Sequence, residues 1–171
     1  MKKSPSEIKI GICIITILTT ILSCTLIPCG WDSDLDLVEK NPKNEFMIGK
    51  YKLDERTVEY IPGYENFQNA ELNIKSDGTF EMRNIPKRTF DFTSNYNSNN
   101  DVVDAIGKWK TSYNKGTAEL NVNVQFDSIK TDLTDFWTSW RIYEKDGKAV
   151  VFIIVGDPDS CSAARFEKTN E

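Results

Sequence analysis

The chain contains no histidine. That absence removes the commonest general base, the usual nucleophile–base–acid triads, and most zinc and copper sites. Methionine is scarce, at three residues, and cysteine is limited to four. No glycine-rich phosphate loop and no nucleophile motif occurs in the sequence. From Phe46 onward no segment carries the 3.6-residue apolar period of an amphipathic helix. The expectation is therefore no catalytic activity, no cofactor and no metal site. Positive charge is also short, with 21 basic against 26 acidic residues and a formal net charge of −5. That balance argues against nucleic acid as a partner, and against electrostatic adhesion to anionic lipid.

What is present begins at the N-terminus. Lys2, Lys3 and Lys9 precede an apolar, charge-free run over residues 10–22, and Ser23 is a small residue directly before Cys24. A basic start, an apolar core and a small residue before the cut are the parts of an export signal. Ile21-Leu22-Ser23-Cys24 resembles the bacterial lipobox. The resemblance implies a diacylglyceryl group on the Cys24 sulfur, cleavage before Cys24, and acylation of the new amine. The alternative is an uncleaved membrane helix, since residues 10–28 are free of charge and close to the ~20 residues needed to span. Lipid on Cys29 is a further reading, but it would put Pro28 directly before the cut. Ordinary cleavage without lipid is a further alternative. Each reading places the folded part outside the cytoplasm, and the lipobox resemblance implies a cell-envelope protein held to a membrane by lipid. Removing residues 1–23 takes three lysines and one glutamate with it, which leaves a net charge of −7 on the mature chain.

The organisation expected is a signal peptide over 1–23, an acidic flexible tether over 24–45, a domain over 46–168 and a tail over 169–171. Asp32-Ser33-Asp34-Leu35-Asp36 has the opening carboxylate spacing of a calcium loop. Leu37 stands where that loop needs glycine, and Lys43 where it needs glutamate, so the stretch reads as a solvated spacer. An oxidising compartment permits a Cys29–Cys161 disulfide; two unpaired thiols, or a bond to another protein, fit the sequence equally.

From Phe46 the pattern is short alternating runs between turn signals, the mark of strands. Ala118, Leu120, Val122, Val124 and Phe126 form the cleanest apolar stripe, against Glu119, Asn121, Asn123 and Gln125. Ser76-Asp77-Gly78 and Lys145-Asp146-Gly147 are hairpin signals, because glycine accepts the positive φ such turns demand. Phe90 and Phe92 suggest a further short strand. Eight or nine strands of similar length, joined in sequence by tight turns, predict an all-β antiparallel meander. With one apolar stripe per strand, the sheet covers that face by curling into a barrel or folding as a sandwich.

Four motifs in order carry a family resemblance. Ile48-Gly49-Lys50-Tyr51-Lys52-Leu53 looks like the first strand of lipocalin-like barrels, where glycine precedes an inward aromatic by two. Residues 72–82, with Ser76-Asp77-Gly78-Thr79-Phe80 at their turn, are similar to a hairpin of many small lipoproteins with that fold. Ile106-Gly107-Lys108-Trp109-Lys110 resembles their later Gly-x-Trp strand. Gly156-Asp157-Pro158-Asp159-Ser160, followed by Arg165-Phe166-Glu167-Lys168, resembles the C-terminal end of a group of uncharacterised bacterial lipoproteins. The resemblance implies a closed lipocalin-like barrel and carries no catalytic residue over.

Trp109, Trp140, Phe80 and Arg141 are the candidate ligand-binding residues. These aromatics, together with Trp137, Phe90 and Phe92, line a cavity in one reading and fill a solid core in the other. Arg141 shares parity with Trp137 and Tyr143, and turned inward it would clamp a carboxylate. Asp157 and Asp159 flank a proline and read as a turn. The function expected is a non-catalytic, lipid-anchored binding module. Its ligand would be a small apolar or amphiphilic molecule, or its partner another envelope protein. The alternative is a solid-core structural or interaction protein of the envelope.

Overall fold

The structure, a computed structural model, describes residues 30–61, 63–90, 101–127, 129–156 and 161–170. The barrel-bearing unit begins at Trp31. Its strands are β1 (Asp36–Leu37), β2 (Gly49–Leu53), β3 (Glu71–Ile74), β4 (Thr79–Pro86), β5 (Val102–Asn114), β6 (Thr117–Phe126), β7 (Phe136–Lys145), β8 (Lys148–Ile154) and β9 (Ala163–Lys168). Two short helices, α1 (Asn44–Met47) and α2 (Glu55–Tyr60), flank β2, and a 3-10 turn (Lys87–Thr89) follows β4.

Strands β2 to β9 each pair antiparallel with the next in sequence, and β9 returns to β2, so eight strands close into a barrel. The ninth, β1, continues the edge of β7 where β6 ends. The last β6–β7 pair is Glu119↔Arg141, and Leu37↔Tyr143 and Asp36↔Glu144 follow it. The barrel is thus an antiparallel meander of the lipocalin-like kind, closed as the strand pattern predicted. The β6 stripe faces in: Leu120, Val122 and Val124 have no exposure. Burying each such side chain stabilises the fold by roughly 1.5–3 kcal/mol relative to leaving it wet.

The two ends of the barrel differ. At one end lie the tight β3–β4, β5–β6 and β7–β8 hairpins; at the other lie all the long connections. Asp146 and Gly147 both have positive φ, 51° and 77°, as the β7–β8 turn requires. The hairpin end is closed by the segment before β2. The Tyr51 hydroxyl donates to the Met47 carbonyl, Thr111 donates to the Pro42 carbonyl at 3.2 Å, and Met47 is buried. Gly107 brings β5 close to β6: a Cβ there would sit 1.7 Å from the Asn123 carbonyl oxygen.

Residues 30–45 differ from the solvated spacer expected of them. From Trp31 they form a strap on the outer wall. Arg165 of β9 points outward yet is wholly buried beneath it. The Arg165 guanidinium donates to both Asp34 oxygens at 2.8 and 2.9 Å and to the Trp31 carbonyl at 2.8 Å. Its Nε lies 2.7 Å from Asp54 Oδ2, an ion contact without hydrogen-bond alignment. Tyr143 donates to Asp32 at 3.1 Å, and the Arg56 guanidinium stacks 5.4 Å from the Trp31 ring. Two carboxylates of the apparent calcium loop are therefore spent on the barrel wall.

Helix α2 was not visible as a period, because six residues are too few to show one. Its cap carries it: Asp54 accepts from the Thr57 amide at 2.9 Å and from its hydroxyl at 2.7 Å. Phe90 ends the 3-10 turn rather than starting a strand, and Phe92 lies outside the described residues.

Candidate functional site

The β7–β8 ladder runs from Lys145↔Lys148 to Arg141↔Phe152 and stops there. Beyond it, residues 136–140 of β7 still pair with β6, and residues 153–154 of β8 still pair with β9, but not with each other. The wall parts along this seam at the loop-bearing end. A cleft of about 420 Å³ occupies the gap, within the ~300–1,000 Å³ typical of small-molecule sites.

Strand parity decides what the cleft presents. Phe136, Thr138 and Trp140 point inward from β7, and Ile153 points inward from β8. Phe90 enters from the 3-10 turn and packs edge-on against Phe126, centroids 5.4 Å apart, and against Phe136 at 6.0 Å. The floor is therefore largely aromatic, with Thr138 its polar member. The lips are polar on one side, with Ser139 and Arg141 on β7 and Glu119 on β6, and apolar on the other, with Phe152 and Ile154 on β8. Glu119 and Arg141 face each other in register. The turn that carries Phe90 is held from behind. Tyr64 hydrogen-bonds Thr89, and the Arg88 guanidinium lies 5.2 Å from the Tyr64 ring centre. Burial pushes the Tyr64 phenol up to about 12, so it stays protonated and keeps that contact at neutral pH.

The four residues chosen from sequence separate in the fold. Trp140 and Arg141 both line the cleft. Phe80 lies beneath, its ring 5.7 Å from Trp140 and nearly edge-on. Trp109 faces the interior near the hairpin end, where its indole N–H donates to the Lys75 carbonyl at 3.1 Å. Arg141 is exposed and turned outward, so it guards the mouth instead of clamping a group inside. Trp137, weighed with the cavity aromatics, shares that parity and is also turned out. Phe90, one of the aromatics the sequence offers for a cavity, does line the cleft, whereas Phe136 and Ile153 were missed, because a cleft at the end of a ladder leaves no pattern in one strand.

Cys24 and Cys29 lie outside the described residues, as do Asp157 and Asp159. Cys161, in the β8–β9 connection, is held in a disulfide. Among the described residues, no three cysteine, aspartate or glutamate side chains gather as a metal site would require, and no helix is long and apolar enough to cross a membrane.

A larger trough, about 1090 Å³, runs along the outer wall between α2 and the hairpin end of β8 and β9. Some of its charges pair with one another, as with Lys145–Glu167 at 3.2 Å and Arg56–Asp34 at 2.9 Å. It is more open and lined mostly by charged and polar side chains, whereas the smaller seam cleft is mostly apolar and is the better site for an apolar ligand. At the trough's edge, the Arg165 hydrogen bonds hold the Asp34 carboxyl well below the usual carboxylate range.

Comparison with protein-family models, curated proteins and solved structures finds no match to this chain. Its class rests on its own geometry: a closed eight-stranded antiparallel barrel, consistent with a lipocalin-like fold, with one extra strand and a cleft in its wall.

Proposed function

We propose that the protein is a non-catalytic binding module for a small apolar or amphiphilic molecule. On this reading it is held outside the cytoplasm by lipid on Cys24, and the seam cleft receives the ligand. The observation that carries the proposal is the aromatic floor of Phe90, Phe136 and Trp140 beneath a mouth bearing Arg141 and Glu119. Such a site takes an apolar body and leaves a polar or charged head at the lip.

The test is tryptophan fluorescence of the full chain, titrated with fatty acids, sterols and other amphiphiles. Saturable shifts at micromolar concentration are expected. They should disappear in Ser139→Trp or Ile153→Phe, which narrow the cleft from its lip and from its floor. A ligand that binds both variants as it binds the parent protein would discard the site.

A second reading is favoured by the rest of the interior. Below the seam one continuous cluster of buried side chains, from Met47 to Phe166, packs the barrel. If no amphiphile binds, the barrel is a solid scaffold, and its partner is another envelope protein met through its outer surface.

A further inference from the structure

Exposed apolar side chains are unevenly placed on this barrel. Of the large ones, Val102, Ile106, Ile129, Trp137 and Ile154 all lie toward the loop-bearing end. Ile129 is 94% exposed and Trp137 76%. Trp137 and Ile154 belong to the two strands that border the seam.

The strap adds a length argument, which rests on the anchor proposed above. Residues 24–45 as a free tether would reach roughly 75 Å, but the chain is pinned from Trp31, so only residues 25–30 remain between Cys24 and the barrel, roughly 20 Å when fully extended. A retained membrane helix over residues 10–28 would shorten the leash further.

We propose that the loop-bearing end docks on the lipid bilayer, with Trp137, Ile129 and Ile154 entering the interfacial layer. Tryptophan favours that layer because its ring is apolar and its N–H polar. The contact is not electrostatic. Asp101, Asp104, Asp127, Asp132 and Asp135 stand at the same end against Lys87, Arg88 and Lys130. The surface that fits is electroneutral lipid, and added anionic lipid weakens the contact. Docked this way, the cleft mouth opens at the membrane, and an amphiphile passes between bilayer and barrel without crossing bulk water.

The experiment uses the full chain in phosphatidylcholine vesicles, with and without bromine on the acyl chains. Bromine should quench a fluorescence component that is lost in Trp137→Ala. A probe at the opposite end, Tyr113→Trp with Trp137 kept, should add a component quenched at least about fivefold less than the one Trp137 supplies, since acyl-chain bromine quenches only rings that reach the bilayer and the interfacial layer is where a docked ring sits. Raising salt should leave the Trp137 signal unchanged, and anionic lipid should reduce it. No quenching of Trp137, or equal quenching at both ends, overturns the docking. So does a concentration-dependent dimer that hides Trp137 without bromine quenching. The mass of the N-terminal peptide reports the anchor separately. Quenching of Trp137 without acyl on Cys24 removes the lipid from the account and leaves the docking supported.

Discussion

Replacing Arg165 by methionine is expected to lower folding stability by about 3 kcal/mol. The Arg165 side chain has no exposure, whereas its partners differ: Asp54 is 3% exposed and Asp34 41%. Removing one member of a buried charge group costs roughly 3–5 kcal/mol, because the survivors stay buried without a partner. Here the dry survivor is Asp54, which keeps its bonds from Thr57, while Asp34 returns to water. The lower end of the range therefore applies. Methionine fills much of the arginine's volume, so the loss reports charge rather than a cavity. Asp34→Asn should lower stability by less, about 1–2 kcal/mol, since water already screens that carboxylate. Arg56→Ala, at the exposed margin of the strap, should cost under about 1 kcal/mol. Urea unfolding followed by tryptophan fluorescence measures all three, and about 3 kcal/mol corresponds to roughly 6–12 °C in Tm for a domain of this size. Acid gives a second readout. The Asp34 carboxyl is depressed in the fold, so its contribution is complete above about pH 4, the ordinary carboxylate value, and is lost as pH falls toward the folded-state value. The parent protein should lose more stability than Asp34→Asn over that acid range. Arg165→Met unfolding at the same urea concentration as Arg56→Ala, or parallel acid profiles for parent and Asp34→Asn, would refute the clamp.

Three further outcomes follow from the barrel. Val122 is wholly buried and Gln125 exposed on the same strand, so Val122→Asp should unfold the domain while Gln125→Asp shifts stability by under about 0.5 kcal/mol in chemical denaturation. Gly107→Ala should cost about 3 kcal/mol, because its Cβ would meet the Asn123 carbonyl and lie 2.7 Å from the Phe80 ring; a Tm equal to the parent's would contradict the close approach. Trp109→Phe removes the donor to the Lys75 carbonyl and should lower stability by about 1 kcal/mol without altering amphiphile binding, which calorimetric melting and titration check together.

Much of the barrel was legible because its signals are local. The β6 stripe alternates without a break, and the two glycine-bearing hairpins announce their own turns. The strand β5 was read short: its ladder runs from Val102, but the adjacent valines at its start blur the alternation. The strap was misread because its meaning lies far away in the chain. Asp34 finds Arg165 131 residues later, and nothing near Asp34 marks that it is wanted. The candidate site was half legible for the same reason. Trp140 and Arg141 stand out as single residues, but the cleft between them and Ile153 exists only because a ladder ends at Arg141↔Phe152. Where a ladder ends is set by the geometry of two strands and the connection between β8 and β9, which no stripe encodes.

Closing a sheet on itself normally leaves no free edge for another chain to extend. Among the described residues, the closed wall of this barrel parts at the seam between β7 and β8. Along residues 137–140 and 153–154 the two strands turn backbone groups toward a gap instead of toward each other. A stretch so short offers little template for stacking copies into fibrils, which calls for segments of roughly six or seven residues. The same parting that forms the cleft is thus where two strands of the wall lie side by side without being joined.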